Sequence, residues 1–350
     1  MTRFTSVALV GVVVLATLLA VTTGAQPLDL GTATAASQPV PPQKGQAAYK
    51  RTRDVLYGRA YGTALTMDVF EPLQRPKNGA GILIMISGGW FSSPEAINPA
   101  FALPFIIRGY TVFAVVHGSQ PKFTLSEIVE HVRRSVRFVR HNAKKYGIDP
   151  EKLGVTGGSA GGHLSLILGL AGRQGDASAR DPVDREPARV SAVACFFPPT
   201  DFLNWGKPGV SVLDLEPLKF VWAAFDFQEF SKETGRFERL PHEQVVNRLR
   251  ELSPVTHVDK HDPPVLIIHG DADKLVPLQQ SRLLIEKLQQ AGVPCKLVVK
   301  PNAGHGWPNL VEDLATCADW FDRFLLSDVK IDHPEGESLK TADPKVDDPS

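Results

Sequence analysis

The stretch Gly157-Gly158-Ser159-Ala160-Gly161-Gly162 lies between two apolar runs, residues 153–155 before it and residues 164–170 after it. This order predicts a strand, a sharp turn and a helix. A strand that reverses directly into a helix brings the backbone close to itself, so side chains at positions 157 and 161 would collide there. The hydroxyl of Ser159 would then be held in the open, beside the amide of Ala160 and the helix N-terminus.

The same residues contain G-x-S-x-G, the pattern of a nucleophile elbow. A serine hydroxyl is a weak nucleophile at neutral pH and needs a histidine base, which a carboxylate orients. Downstream, an apolar run at 264–268 ends in His269-Gly270-Asp271-Ala272-Asp273, and a short run at 295–300 leads into Ala303-Gly304-His305. Serine, acid and histidine therefore follow one another in the order that such hydrolases use, with acid and histidine just past strand ends.

From about residue 57 to residue 326 the sequence resembles the α/β-hydrolases. Within them it is similar to the esterase branch near the acetylxylan and feruloyl esterases, which is related to the catalytic domain of prolyl oligopeptidase. The resemblance implies that Ser159 is the nucleophile, His305 the general base and Asp273 the acid. Asp273 stands four residues before Pro277 in the pattern H-G-x-x-D-x-x-V-P. Asp271 is the competing acid, and its alternative role is a turn residue that bonds its own backbone.

The resemblance also implies an oxyanion hole after the third strand, where such esterases carry His-Gly-Gly-x-Trp. This sequence has Ile86-Ser87-Gly88-Gly89-Trp90, so the histidine and the first glycine of the motif are replaced. Backbone N–H groups form such a hole, and we expect Gly88 or Gly89 to donate together with Ala160. One such donor contributes about 3 kcal/mol to transition-state stabilisation.

Apolar segments alternate between strand and helix patterns over most of the chain. We therefore predict the α/β class, with the mostly parallel sheet and helices on both faces of an α/β-hydrolase fold. The predicted strands are 65–70, 81–86, 110–116, 153–157, 190–196, 265–269 and 296–299. The clearest helix begins with the capping-box pair Thr124 and Glu127 and stops at Gly147. Further helices are predicted at 161–171, 279–291 and about 311–326.

Residues from about 201 to 261 show no clean alternation but are rich in aromatic side chains. We predict a helical cap there, folded over the strand ends, with most of the rings forming its own small core. Trp205 and Trp222 are the candidates for the substrate pocket. Trp90 and Trp307 adjoin the predicted catalytic loops, and each either lines the substrate cleft or locks its loop by packing.

Three further polar residues near the predicted strand ends are expected to have structural rather than catalytic roles. Asp201 is expected to anchor its loop, and His163 is expected to pack within its helix. His117 ends the strand at 110–116 and has no assignable partner.

The two ends of the chain differ in composition from its centre. Arg3, an apolar run at 7–21 and the small residues at 23–25 indicate a secretory signal peptide over residues 1–25. The protein is therefore predicted to be secreted or periplasmic; an uncleaved membrane anchor is less favoured, because a spanning helix needs about 20 apolar residues. Residues 26–50 are predicted to be a flexible linker, 51–327 the hydrolase domain and 328–350 a disordered tail.

Lysine plus arginine and aspartate plus glutamate number 38 each, so the charge indicates no nucleic-acid partner. The arginines at 133, 134, 137 and 140 share one helix and are interpreted as a solvated face. The three cysteines at 195, 295 and 317 are expected to be free thiols, with a bridge between 295 and 317 as the alternative. No metal or organic cofactor is expected, because the sequence has no zinc-ligand spacing or nucleotide-binding loop.

Together these features predict a secreted serine hydrolase that cleaves carboxylic esters through an acyl-enzyme. The expected substrate is a small-molecule or polysaccharide-linked ester, and no stable membrane partner is expected. A prolyl-oligopeptidase-like peptidase is the alternative among enzymes, although roughly 40 residues between the linker's start and the first predicted strand are too few for a propeller. A non-catalytic binding protein on the same fold is the alternative of another class, and the altered Ile86-Ser87 pair is its only support.

Overall fold

An eight-stranded sheet forms the centre of the computed structural model, which describes residues 47–327. The signal peptide predicted at 1–25, the linker residues 26–46 and the tail predicted at 328–350 lie outside the described residues. No helix between residues 47 and 327 combines the length and the apolar composition needed to cross a bilayer.

The described residues form ten strands, and seven of them correspond to the strands predicted from the sequence. The ten strands are β1 (Tyr49–Ala60), β2 (Thr63–Pro72), β3 (Gly81–Ile86), β4 (Thr111–Val116), β5 (Leu153–Gly158), β6 (Ala192–Phe196), β7 (Gln228–Ser231), β8 (Arg236–Arg239), β9 (Val265–Gly270) and β10 (Cys295–Lys300). The central sheet has the order β1-β2-β4-β3-β5-β6-β9-β10, and β7 pairs with β8 in a separate hairpin. The six strands from β4 to β10 in that order are parallel, and β1 and β2 are antiparallel to their neighbours. The predicted mostly parallel sheet is therefore confirmed.

Helices cover both faces of this sheet, as predicted. They are α1 (Leu103–Ile106), α2 (Leu125–His141), α3 (Ala143–Tyr146), α4 (Ala160–Leu170), α5 (His242–Glu251), α6 (Leu278–Gln290) and α7 (Leu310–Phe321), the last continued by a π turn at Asp322–Leu326. The apolar sides of α2, α4 and α6 share one core cluster, and those of α1 and α7 share a second. At the start of α2 the Thr124 amide donates to the Glu127 carboxylate at 2.8 Å, which is half of the predicted capping box.

Strand β1 was not predicted, and its first residue, Tyr49, lies within the predicted linker. It pairs with β2 from Tyr49↔Pro72 to Ala60↔Thr63, with two irregularities in the register. It is an edge strand on which only Tyr57 and Gly58 are buried. A polar, bulged edge strand has neither a continuous apolar run nor a clean alternation, so its sequence resembles a linker.

The predicted cap segment contains helices and, in addition, a hairpin that the sequence pattern did not predict. Its helical parts are the 3-10 segments Val212–Asp214 and Glu216–Phe225 and helix α5. The hairpin β7–β8 places Phe230 opposite Phe237, and both rings are exposed. Other cap rings form a core as expected, since Phe202 and Phe225 pack edge to face at 5.1 Å.

The arginines of α2 do not form the predicted solvated face. The side chains of Arg133 and Arg140 are buried. Arg140 donates to the Glu151 carboxylate and to three carbonyl oxygens, those of Pro150, Pro187 and Arg189. These acceptors come from loops distant in sequence, so the pattern of the helix alone could not show that its charged side is covered.

All three cysteines are free thiols, and Cys295 and Cys317 are not bridged. Cys195 and Cys317 are completely buried, and burial raises the pKa of both thiols. Neither therefore supplies a thiolate near neutral pH.

Three histidines are buried in the neutral form. His117, His131 and His163 are at most 6% exposed, and burial lowers the pKa of each to about 4. Burial acts in the opposite direction on Asp262, whose pKa it raises to about 7. Below the ordinary histidine pKa of about 6.5, these three histidines bind protons in the unfolded chain but stay neutral in the folded protein. Asp262 binds a proton in the folded protein that it does not bind in the unfolded chain, and this offsets the effect of one of the three histidines.

We predict that the free energy of unfolding falls as the pH is lowered from about 6.5 to about 4, by up to about 3 kcal/mol for each histidine. Urea denaturation at pH 7, 5.5 and 4.5 measures this. His131→Leu removes one titrating group, so the slope of the unfolding free energy against pH should decrease by the equivalent of one proton. An identical slope in the variant would contradict the assignment of a buried neutral imidazole at position 131.

Candidate active site

Ser159 occupies the predicted turn between β5 and α4. Its backbone has φ of 54° and ψ of −121°, a left-handed conformation that is unusual for serine. A β-carbon at position 157 would lie 2.6 Å from the carbonyl carbon of Gly161, and one at position 161 would lie 2.5 Å from the Met85 oxygen. Both glycines are therefore required by contact, as the sequence indicated, and α4 packs against the end of β3.

Two further loops meet this turn from the ends of β9 and β10. Asp271 and Ala272 donate their amides to the carbonyl oxygens of Lys300 and Ala303. The Asn302 amide donates a hydrogen bond of 2.7 Å to the Asp271 carboxylate. The acid and histidine loops are thus tied together along their backbones.

The three side chains predicted to carry the chemistry form one chain of hydrogen bonds. The Ser159 Oγ lies 2.9 Å from Nε2 of His305, and Nδ1 of His305 lies 2.7 Å from Oδ2 of Asp273. The Asp273 carboxylate is completely buried, whereas the His305 side chain is 21% exposed. An imidazole in this position can accept the serine proton while the carboxylate holds its other nitrogen.

Burial alone would raise the pKa of Asp273, but its hydrogen-bond donors outweigh burial. Bonds from His269 and His305 and from the Val276 amide hold the pKa of Asp273 well below its usual range. The carboxylate is therefore ionised at neutral pH. A fixed negative charge beside Nδ1 stabilises an imidazolium at His305.

Asp271, the competing acid, takes a different position. Its side chain is exposed and accepts the Asn302 amide, on the neighbouring loop rather than on its own backbone. The structure thus brings Asp273, and not Asp271, to His305.

An aromatic ring supports His305 from the side. Phe197 follows β6 with φ of +35°, and its ring centroid lies 4.5 Å from that of His305. Trp307 packs edge to face on the same phenyl ring at 5.7 Å. A bulky residue in this backbone region is strained, which is typical of functional sites.

The loop after β3 forms a tight two-residue turn. Gly88 and Phe91 exchange both backbone hydrogen bonds, at 3.0 and 2.9 Å, and the two residues between them, Gly89 and Trp90, have φ of +55° and +60°. This is the backbone of a type I′ turn. Of the two predicted donors, the Gly88 amide is thus already used by Phe91. The Gly89 amide has no acceptor among residues 47–327 and is the one available to an oxyanion, together with that of Ala160 at the start of α4.

Trp90 locks this turn by packing and does not line the cleft. Its indole is 2% exposed and packs edge to face on Phe202 and Phe225. Its Nε1–H lies 3.3 Å from Nδ1 of His163, and Nε2 of His163 lies 2.8 Å from the Leu252 carbonyl oxygen. Because His163 belongs to α4, this bond joins the oxyanion turn to the helix that follows Ser159.

A second contact joins the turn to the cap. Gln120 is buried, and its Nε2 donates to the Gly89 carbonyl at 2.6 Å and to the Phe220 carbonyl at 3.3 Å. A β-carbon at position 89 would lie 3.1 Å from the Phe220 ring. The Gln120 side chain therefore connects the cap segment at Phe220 to the turn at Gly89.

The other predicted pocket tryptophans are spread over the structure. Trp205 is 7% exposed within the core, and Trp222 donates to the Val212 carbonyl at the edge of a cavity of about 360 Å³ on the cap. Trp307 donates to Asp313 at 2.6 Å, which fixes its loop. Their role as substrate-pocket residues stays a prediction.

Asp201 and His117 have the kind of contacts expected of structural residues. Asp201 accepts the Leu203 amide and the Asn204 side chain, which anchors its loop as predicted. His117 donates Nδ1–H to the Gly118 carbonyl, and its Nε2 has no partner among residues 47–327. Within the same residues, no three His, Cys, Asp or Glu side chains are grouped as a metal site requires.

Three supporting residues were not identified from the sequence: His269, Phe197 and Gln120. Of these, only His269 carried a signal, as the first residue of the H-G-x-x-D pattern, because it must lie at the strand end close to Asp273. Phe197 and Gln120 act through contacts between loops that no spacing in the sequence predicts.

The comparisons with known proteins agree with this architecture. The BD-FAE family model matches residues 67–288. The chain is 29% identical to esterase LipC of Mycobacterium tuberculosis, over 80% of this chain and 66% of LipC. It is 27% identical to the probable carboxylic ester hydrolase LipM of the same organism, over 69% of this chain and 52% of LipM. The chain thus spans about half to two thirds of the length of these relatives.

Solved structures share the fold. A truncated carbohydrate esterase from gut microbiota matches with a TM-score of 0.63 and 25% identity, over 80% of this chain and 98% of that chain. The thermophilic esterase Est2 of Thermogutta terrifontis matches with a TM-score of 0.61 and 23% identity, over 83% and 95%. Since the family model covers more than half of the residues and these structures share the sheet and its helices, the chain belongs to the BD-FAE family, in the esterase branch of the α/β-hydrolase fold.

Proposed function

We propose that the chain is a serine hydrolase that cleaves carboxylic esters through an acyl-enzyme on Ser159. The observation that carries this proposal is the hydrogen-bond chain from Ser159 through His305 to the buried Asp273. The esterases LipC and LipM, which the chain resembles over most of its length, support the same chemistry.

In the acylation step, His305 accepts the proton of Ser159 through Nε2 as the serine oxygen attacks the ester carbonyl. Asp273 holds Nδ1–H and balances the positive charge that forms on the ring. The carboxylate stays ionised during the step, because its hydrogen bonds keep its pKa far below that of an imidazole. His305 then donates the proton to the departing alcohol.

The oxyanion that develops on the ester carbonyl accepts the amides of Gly89 and Ala160. Both are backbone groups at tight turns, so their direction does not depend on a flexible side chain. Water then attacks the acyl-enzyme with His305 again as the base, which releases the acid and restores Ser159.

The proposed substrate is a small-molecule or polysaccharide-linked ester. Support comes from a fold neighbour described as a carbohydrate esterase. The chain also matches an acylamino-acid-releasing enzyme of Arabidopsis thaliana, but over only 20% of that protein. We therefore favour an ester over a peptide, and the panel below separates the two.

We further propose that the enzyme is exported and that residues 1–25 are removed. The support is the basic residue, apolar run and small residues at the N-terminus. Expression in a host with a secretory pathway should release protein whose first residue by intact mass is Gln26. Recovery of the full-length chain in the membrane fraction would instead support the uncleaved anchor.

Ser159→Ala is expected to lower kcat on aryl acetates by about 10⁴- to 10⁶-fold, because the remaining site keeps only its oxyanion donors and binding surface. Asp273→Asn should cost about 10⁴-fold by favouring the wrong tautomer of His305. Steady-state kinetics on aryl acetates, acetylated xylan and peptide amides measure both effects and the substrate class.

The matched control for the acid is Asp271→Asn. Its side chain is exposed and bonds only the neighbouring loop, so activity should stay within about threefold of the unaltered chain. If the two asparagine variants exchanged these results, Asp271 would be the acid. Full activity of Ser159→Ala would refute the proposed mechanism, and peptide amides cleaved in preference to esters would favour the peptidase.

Trp90→Phe tests whether the indole positions the oxyanion turn. The phenyl ring retains the packing but loses the hydrogen bond to His163, so we expect kcat to fall about tenfold while KM changes less than about twofold. Trp320→Phe is the control, because Trp320 is also buried and its indole N–H has no partner among residues 47–327. Equal kinetics in the two variants would show that the bond to His163 does not support catalysis.

A further inference from the structure

His269 lies directly behind Asp273 and is completely buried. It is the penultimate residue of β9, next to Gly270. Its Nδ1 is 2.7 Å from the Ser281 hydroxyl on α6. Its Nε2 is 2.9 Å from the Val276 carbonyl oxygen and 3.3 Å from Oδ2 of Asp273.

The partners of His269 determine where its proton lies. A carbonyl oxygen and an ionised carboxylate can only accept, so Nε2 must carry a hydrogen. In the neutral ring Nδ1 is then an acceptor, and the Ser281 hydroxyl donates to it. Ser281 is completely buried, so no water competes for Nδ1. Ser281 therefore fixes the tautomer with the hydrogen on Nε2, the nitrogen that bonds the Val276 carbonyl and lies beside Oδ2 of Asp273.

The Asp273 carboxylate is saturated by this arrangement. An ionised carboxylate offers about four lone-pair directions. Oδ1 accepts the amides of Leu275 and Val276, at 2.9 and 3.0 Å. Oδ2 accepts Nδ1–H of His305 at 2.7 Å and faces Nε2–H of His269 at 3.3 Å. Among residues 47–327, the titratable groups that face the carboxylate are these two histidines.

We propose that His269, oriented by Ser281, is a positioning residue for the acid of the site. Its N–H holds Oδ2 of Asp273 in line with Nδ1 of His305 and keeps negative charge on the carboxylate. The proton taken from Ser159 then stays on His305, from which it passes to the leaving alcohol. This inference rests on the proposed ester hydrolysis.

The role has a consequence that simple packing does not have. Without the N–H of His269, Oδ2 has one donor fewer, and its negative charge is concentrated on the bond to His305. This change in charge beside the general base moves the acid limb of the kcat/KM profile to higher pH. A residue that only filled space would change stability and leave that limb in place.

Three substitutions at position 269 separate these roles. Glutamine can place an amide N–H where Nε2 stands, asparagine can place an acceptor where Nδ1 stands, and leucine supplies neither. We expect His269→Leu to lower kcat/KM about tenfold, the loss equivalent to about 1.4 kcal/mol. We expect the acid limb of its profile to rise by about half a pH unit. His269→Asn should behave like leucine, and His269→Gln should remain within about threefold of the unaltered chain, with its limb in place.

His131→Leu is the matched control. His131 is also a buried histidine, but it lies in α2 and packs on Phe123, away from the acid. It should change stability without moving the acid limb. Profiles of kcat/KM between pH 4.5 and 9 on an aryl acetate, with thermal unfolding of each variant, supply the measurements.

Each outcome decides between the alternatives. If His269→Leu does not fold, the comparison of His269→Gln with His269→Asn still tests whether position 269 positions Asp273, because both variants keep a polar group. An unmoved acid limb in every folded variant, or equal kinetics for glutamine and asparagine, would overturn the inference. If the unaltered chain shows no hydrolysis that depends on Ser159, the proposed function fails instead. In that case, the chemical shift of the His305 Nδ1 proton, compared between the unaltered chain and His269→Leu, still tests whether His269 acts on the acid.

Discussion

Close contact between backbones, without side chains to separate them, is the constraint on which the site depends. Helix α4 reaches the end of β3 because Gly161 meets the Met85 carbonyl with no β-carbon between them. The end of β9 meets the histidine loop in the same way, since a β-carbon on Gly270 would overlap the Ala303 carbonyl. These two contacts bring three loops from separate strands to one edge of the sheet. Only then can the two ring nitrogens of His305 lie within 3 Å of the Ser159 hydroxyl and of the Asp273 carboxylate.

Interactions within one element, or between an element and the loop that follows it, could be predicted from the sequence. The seven predicted strands are present, and the helix predicted from Thr124 to Gly147 is present as α2 and the short α3, because the apolar periodicity of these segments is strong. Each of the three predicted catalytic residues follows a predicted strand, and the structure brings the side chains of Ser159, Asp273 and His305 together. Strand β1 could not be predicted in this way, because an exposed edge strand shows no apolar pattern.

Contacts between distant loops could not be predicted. Arg140 has the pattern of a surface residue, yet its guanidinium binds carbonyl groups some 10 to 49 residues away. For Trp90 the sequence left two roles open, and the choice depends on where His163 and the cap rings lie. Gln120 has no sequence pattern at all, because its importance comes from two carbonyl groups that the fold places together.

The loop after β3 shows how an altered motif can keep its geometry. The histidine and first glycine of the family motif are Ile86 and Ser87 here. The loop is instead held by two serine hydroxyls. The Ser119 hydroxyl accepts the Ser92 amide and donates to the Ser92 carbonyl, and the Ser92 hydroxyl donates to the Ile86 carbonyl. Together with the Trp90–His163 bond, these contacts attach the turn to both neighbouring elements. The turn is therefore fixed by several side chains rather than by one histidine.

The single amide of Gln120 that bonds both Gly89 and Phe220 also has a meaning for the evolution of this enzyme. Segments that connect the strands of a sheet, as the cap does here, vary more among related proteins than the sheet itself. Here a shift of the cap at Phe220 pulls on the group that aligns the turn at Gly89. A cap grafted from a relative must therefore bring a residue that matches Gln120.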